Sequence, residues 1–232
     1  MVELKDYQTY REQSLSFNKF LSKVFLLVFV GLMISSVTCF LTYLALLRNF
    51  ALANFSFVVM LIQMGIAIYF QTRLNHMSKQ QAYLCFGIYA ATLGVTLGYI
   101  PIFYNGKTIV IAVLMTALLF GSMAIIGHTT NIDLSRFSSI FSVGLLMLVV
   151  TSVINFFVRS SGLDMILNYA GIILFLGIVA WDMQRMRQVY LYCRDDHETF
   201  LKMSILMAFE LFLDFVNIFL RLLPMFDSNN DN

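Results

Sequence analysis

Glu210 and Asp214 lie one helical turn apart in the run Met203-Ser-Ile-Leu-Met-Ala-Phe-Glu210-Leu-Phe-Leu-Asp214-Phe-Val-Asn217-Ile-Phe-Leu. The i, i+4 spacing puts both carboxylates on one helix face. A carboxylate among apolar residues can hold a cation or a proton. In hydrocarbon it is costly, so it faces a bundle interior or a water-filled path, and it marks a functional site by default. A third acid, Asp182, follows Trp181 at the end of another apolar run. Taken alone, an Asp beside an interfacial Trp marks a helix end, and Arg185 and Arg187 are near enough in sequence to solvate it.

The rest of the chain must position these acids, and its composition says in what solvent. Of 232 residues, 59% are hydrophobic and only 12% charged, with a mean hydropathy of +0.80. A soluble globule needs far more surface charge. The charges fall in short clusters between long uncharged runs: 24–47, 49–72, 80–106, 108–132, 137–158, 165–181 and, with its embedded charges, 203–223. A spanning helix needs roughly 17–25 mostly apolar residues, so seven runs fit, the sixth at the short limit and the seventh weakest by hydropathy. A β-barrel would alternate apolar and polar residues, and stretches such as Val24-Phe-Leu-Leu-Val-Phe-Val30 do not. The expected fold is an all-α membrane protein, a seven-transmembrane-helix bundle. It has an N-terminal tail over 1–23, one membrane domain over 24–223 and a short C-terminal tail over 224–232.

Eleven Lys and Arg fall in the N-terminal tail and the even-numbered loops, against three (Arg48, Lys107, Arg159) in the others. By the positive-inside rule the N-terminus is cytoplasmic. The first 23 residues are too polar for a cleavable signal peptide. Cys39, Cys85 and Cys193 are isolated and form neither metal spacing nor a disulfide framework. The net charge of +2 is accounted for by the inner loops and implies no nucleic acid.

Polar residues within the runs read mostly as packing. Gly94 and Gly98 form a small-xxx-small pair for close helix approach within one chain, and Gly171 and Gly177 read the same way. Gln63, Asn155, Asn168 and Asn217 are expected to bond between helices. His128 reads as an interfacial side chain rather than a metal ligand. No nucleophile-elbow or zinc-protease motif occurs, so no enzyme is expected. No Lys lies mid-span to hold retinal, and no cofactor is expected.

Several segments, taken in order, resemble the transmembrane Bax inhibitor motif family. These are Arg73-Leu-Asn-His-Met77-Ser78-Lys-Gln-Gln-Ala82, Tyr89-Ala-Ala-Thr-Leu-Gly94 with Ile102-Phe-Tyr104, and Gly127-His-Thr-Thr-Asn-Ile-Asp133-Leu-Ser. The most specific are Ala180-Trp-Asp182-Met-Gln184 and Leu211-Phe-Leu-Asp214-Phe-Val-Asn217-Ile-Phe-Leu. The chain departs from the family's pattern at Trp181 and Met183, where Tyr and Thr are usual, and at Glu210, where Ser is common. The resemblance implies a bundle with the C-terminal helix central, a bacterial member of the family, and a pH-sensitive calcium leak with Asp182 and Asp214 near a closed pore.

Carboxylates are calcium's preferred charged ligands. Asp182, Asp214 and Glu210 would make a transient site for calcium as the permeant ion. Close carboxylates titrate as a unit with one pKa raised. Arg73 is the candidate latch that pairs with Asp182 in a closed state. The competing readings are a proton-coupled carrier using the same acids, and a non-conducting stress or cell-death regulator that binds other membrane proteins. The partners are then the bilayer, calcium and protons, and the site of action a bacterial plasma membrane.

Overall fold

The computed structural model describes residues 2–51 and 56–227. Among them there is no strand. The helices are α1 (Val2–Arg48), α2 (Ser56–Arg73), α3 (Lys79–Leu97), the single turn α4 (Ile100–Phe103), α5 (Gly106–Thr129), α6 (Ser138–Val158), α7 (Ser161–Cys193) and α8 (His197–Asp227). An all-α membrane protein is what the apolar runs require, because lipid leaves backbone groups no other partner.

Six helical stretches are long and apolar enough to cross a bilayer: Ser16–Arg48, Lys79–Phe103, Gly106–Thr129, Leu134–Val158, Ser161–Cys193 and His197–Asp227. The short element is the second run, not the sixth, since α2 has 18 residues and α7 has 33. The seventh run is not weak either, with a mean hydropathy of 1.9 over its best stretch. α8 is one continuous helix of 31 residues, about 46 Å at 1.5 Å per residue. That exceeds a hydrocarbon core of roughly 30 Å, so it is one unbroken helix long enough to span. The helix that carries the first run, α1, is longer than the run and extends unbroken from Val2. The C-terminal tail beyond Asp227 lies outside the described residues.

α8 is the most covered helix. Buried residues make up 61% of its most apolar stretch, against 11–33% in the other five. α6, the least covered, presents Phe156 and Phe157 three-quarters exposed. Such faces are stable only if lipid is the solvent.

Backbone contacts divide the chain into two compact units. The first holds residues 1–103 and 186–212, the second 104–185 and 213–232. In the first, α1 packs on α3 at the Gly94 and Gly98 positions. A Cβ on Gly94 would sit 2.3 Å from the Ser35 carbonyl oxygen, and one on Gly98 2.6 Å from the Thr42 side chain. Ser35 Oγ donates to the Ala90 carbonyl at 2.7 Å, which ties the two backbones at their nearest approach. The small-residue pair therefore serves packing within the chain. Gln63 links α2 to α3, donating to Tyr89 at 3.3 Å and accepting from Thr96 at 2.8 Å. Phe209 fills the same unit against Phe70 and Tyr89, with ring centroids 4.9 and 4.8 Å away.

In the second unit a Cβ on Gly127 would sit 2.2 Å from the Ala180 carbonyl oxygen, which brings α5 against α7. Gly177 makes room for the Phe141 ring, and Gly171 for the Arg221 guanidinium. Asn155 bonds across the α6–α7 turn to Asp164 and accepts from the Ser160 N–H at 3.1 Å. Arg159 closes α6 in the left-handed region at φ 54°. Asn217 behaves differently from the expectation, donating back to Leu213 in its own helix at 2.9 Å.

Candidate functional site

Asp182 and Asp214 both belong to the second unit, and both are buried, with 3% and 6% of their surface exposed. Asp182 therefore does not mark a helix end. α7 continues eleven residues past it to Cys193, about 17 Å at 1.5 Å per residue. Asp214 stands 17 residues into α8, about 26 Å along it, deeper than a helix starting near Leu201 would put it. Glu210 precedes it by one turn, half-buried, in the part of α8 that belongs to the first unit. Among the described residues no group of three or more His, Cys, Asp or Glu is placed to hold a metal ion. The three acids thus do not form a ready-made metal cage among the described residues.

Arg185 places a cation at Asp182. Its Nη2 lies 3.5 Å from Asp182 Oδ1, one turn on in the same helix. The guanidinium also lies over the Trp181 ring, 4.9 Å from its centroid. Residues i, i+1 and i+4 on α7 thus build one stack, in which Trp181 supports Arg185 and Arg185 faces Asp182. An indole is the best ring for this, so the Trp that departs from the family's usual Tyr acquires a role. Arg73, the sequence-based candidate for the latch, belongs to the first unit and is exposed at the C-terminal end of α2.

Gln184 was not singled out from sequence as a functional residue. Its Nε2 donates to the Ile132 carbonyl and its Oε1 accepts from the Leu134 N–H, both at 2.8 Å. This clamps the segment after α5 to the α7 turn that bears Asp182. In that segment Asp133 caps the short helical turn at Leu134. Hydrogen bonding from Ser135, followed by the charge of Arg136, holds its carboxyl below the usual range. His128 is exposed at the end of α5.

Arg221 is a further cation of the unit, on α8. Its Nη1 donates to the Leu167 carbonyl at 2.8 Å, and its guanidinium lies 5.9 Å from the Phe175 centroid. Gly171 gives it space. Asp214 and Arg221 are seven residues apart on α8, so the helix places acid and base on one face two turns apart. The spacing of Trp181, Asp182 and Arg185 was readable in the sequence. The Gln184 clamp was not, since it joins residues 50 and 52 apart.

The chain matches the family described as "Inhibitor of apoptosis-promoting Bax1" over residues 17–231. It is 36% identical to a protein of Borreliella burgdorferi over 92% of this chain and 93% of the relative. It is 35% identical to a protein of Rickettsia prowazekii over 77% and 75%. It is 32% identical to the inner membrane protein YbhL of Escherichia coli K12 over 89% and 90%. The chain belongs to the Bax inhibitor-like family of membrane proteins.

Proposed function

We propose that this member of the family is a pH-sensitive leak pathway for cations, calcium among them, with the carboxylates of Asp182 and Asp214 as its gate. The observation that carries the reading is two nearly fully buried acids within apolar helices of one unit. Burying ionised carboxylates costs several kcal/mol each, so bilayer helices keep them for ions or protons. Protonation removes their charge. Low pH then weakens their hold on a divalent cation and on Arg185.

Arg185 takes the latch role. Its guanidinium is the cation competing for Asp182, and Trp181 holds it when the carboxylate lets go. Glu210 is an accessory acid one turn from Asp214. We assign the protein no enzymatic step and no cofactor. We place it in a bacterial plasma membrane with the N-terminus cytoplasmic, in keeping with the eleven-to-three bias of basic residues and with the name of the Escherichia coli relative.

The test is calcium entry into liposomes holding the purified protein, followed with an internal dye at acidic and alkaline pH. Flux that depends on pH and falls in Asp214→Asn supports the reading. Absence of flux at every pH sinks it and favours a non-conducting regulator. Saturable uptake driven by a proton gradient replaces it with a carrier.

A further inference from the structure

The geometry points to a groove between α2 and α3 as a binding site for an anionic glycerophospholipid, with an acyl chain in the groove and the phosphate on Arg73. The groove encloses about 490 Å³ and is lined by Ile62, Gly65, Tyr69, Met77, Gln81 and Cys85 among others. Its size falls within the roughly 300–1,000 Å³ of small-ligand sites. All of it lies in the first unit.

Three features separate it from the convex apolar surface around it. The first is Gly65, where a Cβ would meet nothing within 4 Å. The missing side chain is thus what opens the recess, and packing does not require the glycine. The second is a polar end, since Tyr69 and Gln81 bring a phenol and an amide to an otherwise aliphatic wall. The third is charge. Along α2 the lining residues Ile62, Ile66 and Tyr69 recur at helical spacing, and the next member of that stripe, at i+4 from Tyr69, is exposed Arg73. His76 and Lys79 are exposed in the same turn. Lys202 reaches this end as well, donating to the Met77 carbonyl at 3.2 Å, but it is paired with Glu198 at 3.5 Å. Arg73 is the cation that continues the groove's own stripe on α2, so it is the one assigned to the headgroup.

Apolar wall, polar rim and basic end occur in the order of a phospholipid's own parts. A guanidinium pairs with phosphate through parallel N–H donors, and basic residues at a helix end beside the bilayer surface are the usual receivers of anionic headgroups.

The experiment is native mass spectrometry of the full-length protein released from micelles containing phosphatidylglycerol or phosphatidylcholine with the same acyl chains. The wild type should retain phosphatidylglycerol about fivefold over phosphatidylcholine, the ratio that corresponds to about 1 kcal/mol per basic residue. Gly65→Leu, which fills open space, should lower retention of both lipids. Arg73→Gln should abolish the preference and leave the common chain-binding component. In a Cys39→Ser background, phosphatidylglycerol should slow maleimide labelling of Cys85, a thiol that lines the groove. Equal retention of the two lipids by the wild type overturns the assignment, as does retention by Gly65→Leu at the wild-type level.

Discussion

The stack of Trp181, Arg185 and Asp182 gives the sharpest test, because its energy can be worked from the distances. At 3.5 Å between Arg185 Nη2 and Asp182 Oδ1, the Coulomb attraction at an effective dielectric of about 20 is about 5 kcal/mol. Desolvation of a carboxylate that is 3% exposed cancels much of it, and the 29% exposure of the Arg185 side chain screens the remainder. A net coupling of about 1–3 kcal/mol is expected, the usual size for residues in contact. Arg185→Gln should cost up to about 3–5 kcal/mol, because it strands a buried charge. Asp182→Asn should cost less, since the amide carries no charge to strand. In the double variant the Gln should add little beyond the Asn. The assay is chemical unfolding in a mild detergent for wild type, both singles and the double, with calcium flux on the same preparations. Arg185→Gln should also raise flux, having removed the cation that competes for Asp182. Strictly additive stabilities across the four proteins would refute the pairing. A stable Arg185→Gln with wild-type flux would refute the latch.

Asp214→Asn, close to isosteric, should leave the fold intact and reduce calcium flux by about tenfold or more, equivalent to about 1.4 kcal/mol of lost cation stabilisation. Unchanged flux at every pH would remove Asp214 from the pathway. Gly94→Val should destabilise by about 3 kcal/mol or more, at or above the usual cost of overpacking, because its Cβ meets the fixed Ser35 backbone. Gly121→Ala, whose Cβ meets nothing, should stabilise α5 by about 0.5–1 kcal/mol, and thermal unfolding compares the two. Asp196 caps α8 by accepting from the Thr199 hydroxyl and backbone and from Glu198 N–H, and these bonds, led by the Thr199 hydroxyl, depress its pKa. A depressed pKa stabilises the folded state above the unfolded pKa and is lost as pH falls through the folded one. Hydrogen-exchange protection over the first turn of α8, taken relative to the intrinsic rate at each pH, should therefore fall in acid, and Asp196→Ala should show the low protection at all pH values.

Much of this architecture was legible because lipid imposes a simple rule on sequence. Long uncharged runs must be helices, and Gly94, Gly98, Gly171 and Gly177 within them each allow a close approach. Lengths were less legible. The sixth run is apolar for 17 residues, from Met165 to Trp181, yet its helix has 33. Helix propagation continues through Arg185 and Arg187 as readily as through leucine. Hydropathy marks where lipid ends, and hydrogen bonding decides where the helix does. Asp182 looked interfacial for that reason, since an acid at the edge of an apolar run reads as a helix end until the helix is seen to continue.

The partner of Asp182 illustrates a second limit. The loop-charge pattern offers Arg73, because it sets that residue on the same side of the membrane as Asp182, while local geometry offers Arg185, three residues away on the same helix. A partner on the same helix is the more economical latch. Helix geometry keeps it within reach of the acid whatever the neighbouring helices do, so releasing it needs only a rotamer change and a change in the acid's charge. Trp181 gives the released guanidinium a place to rest, 4.9 Å away, without entering bulk water. A switch of this kind depends on the protonation of one carboxylate and the stiffness of one helix. That makes Trp181→Tyr, the family's usual residue, an instructive substitution. The smaller ring gives a weaker cation–π contact, so the arginine should favour the acid more, and the flux–pH curve should move to lower pH. A curve that stays in place would show that Trp181 does no more than fill space beside Phe141, 6.1 Å away.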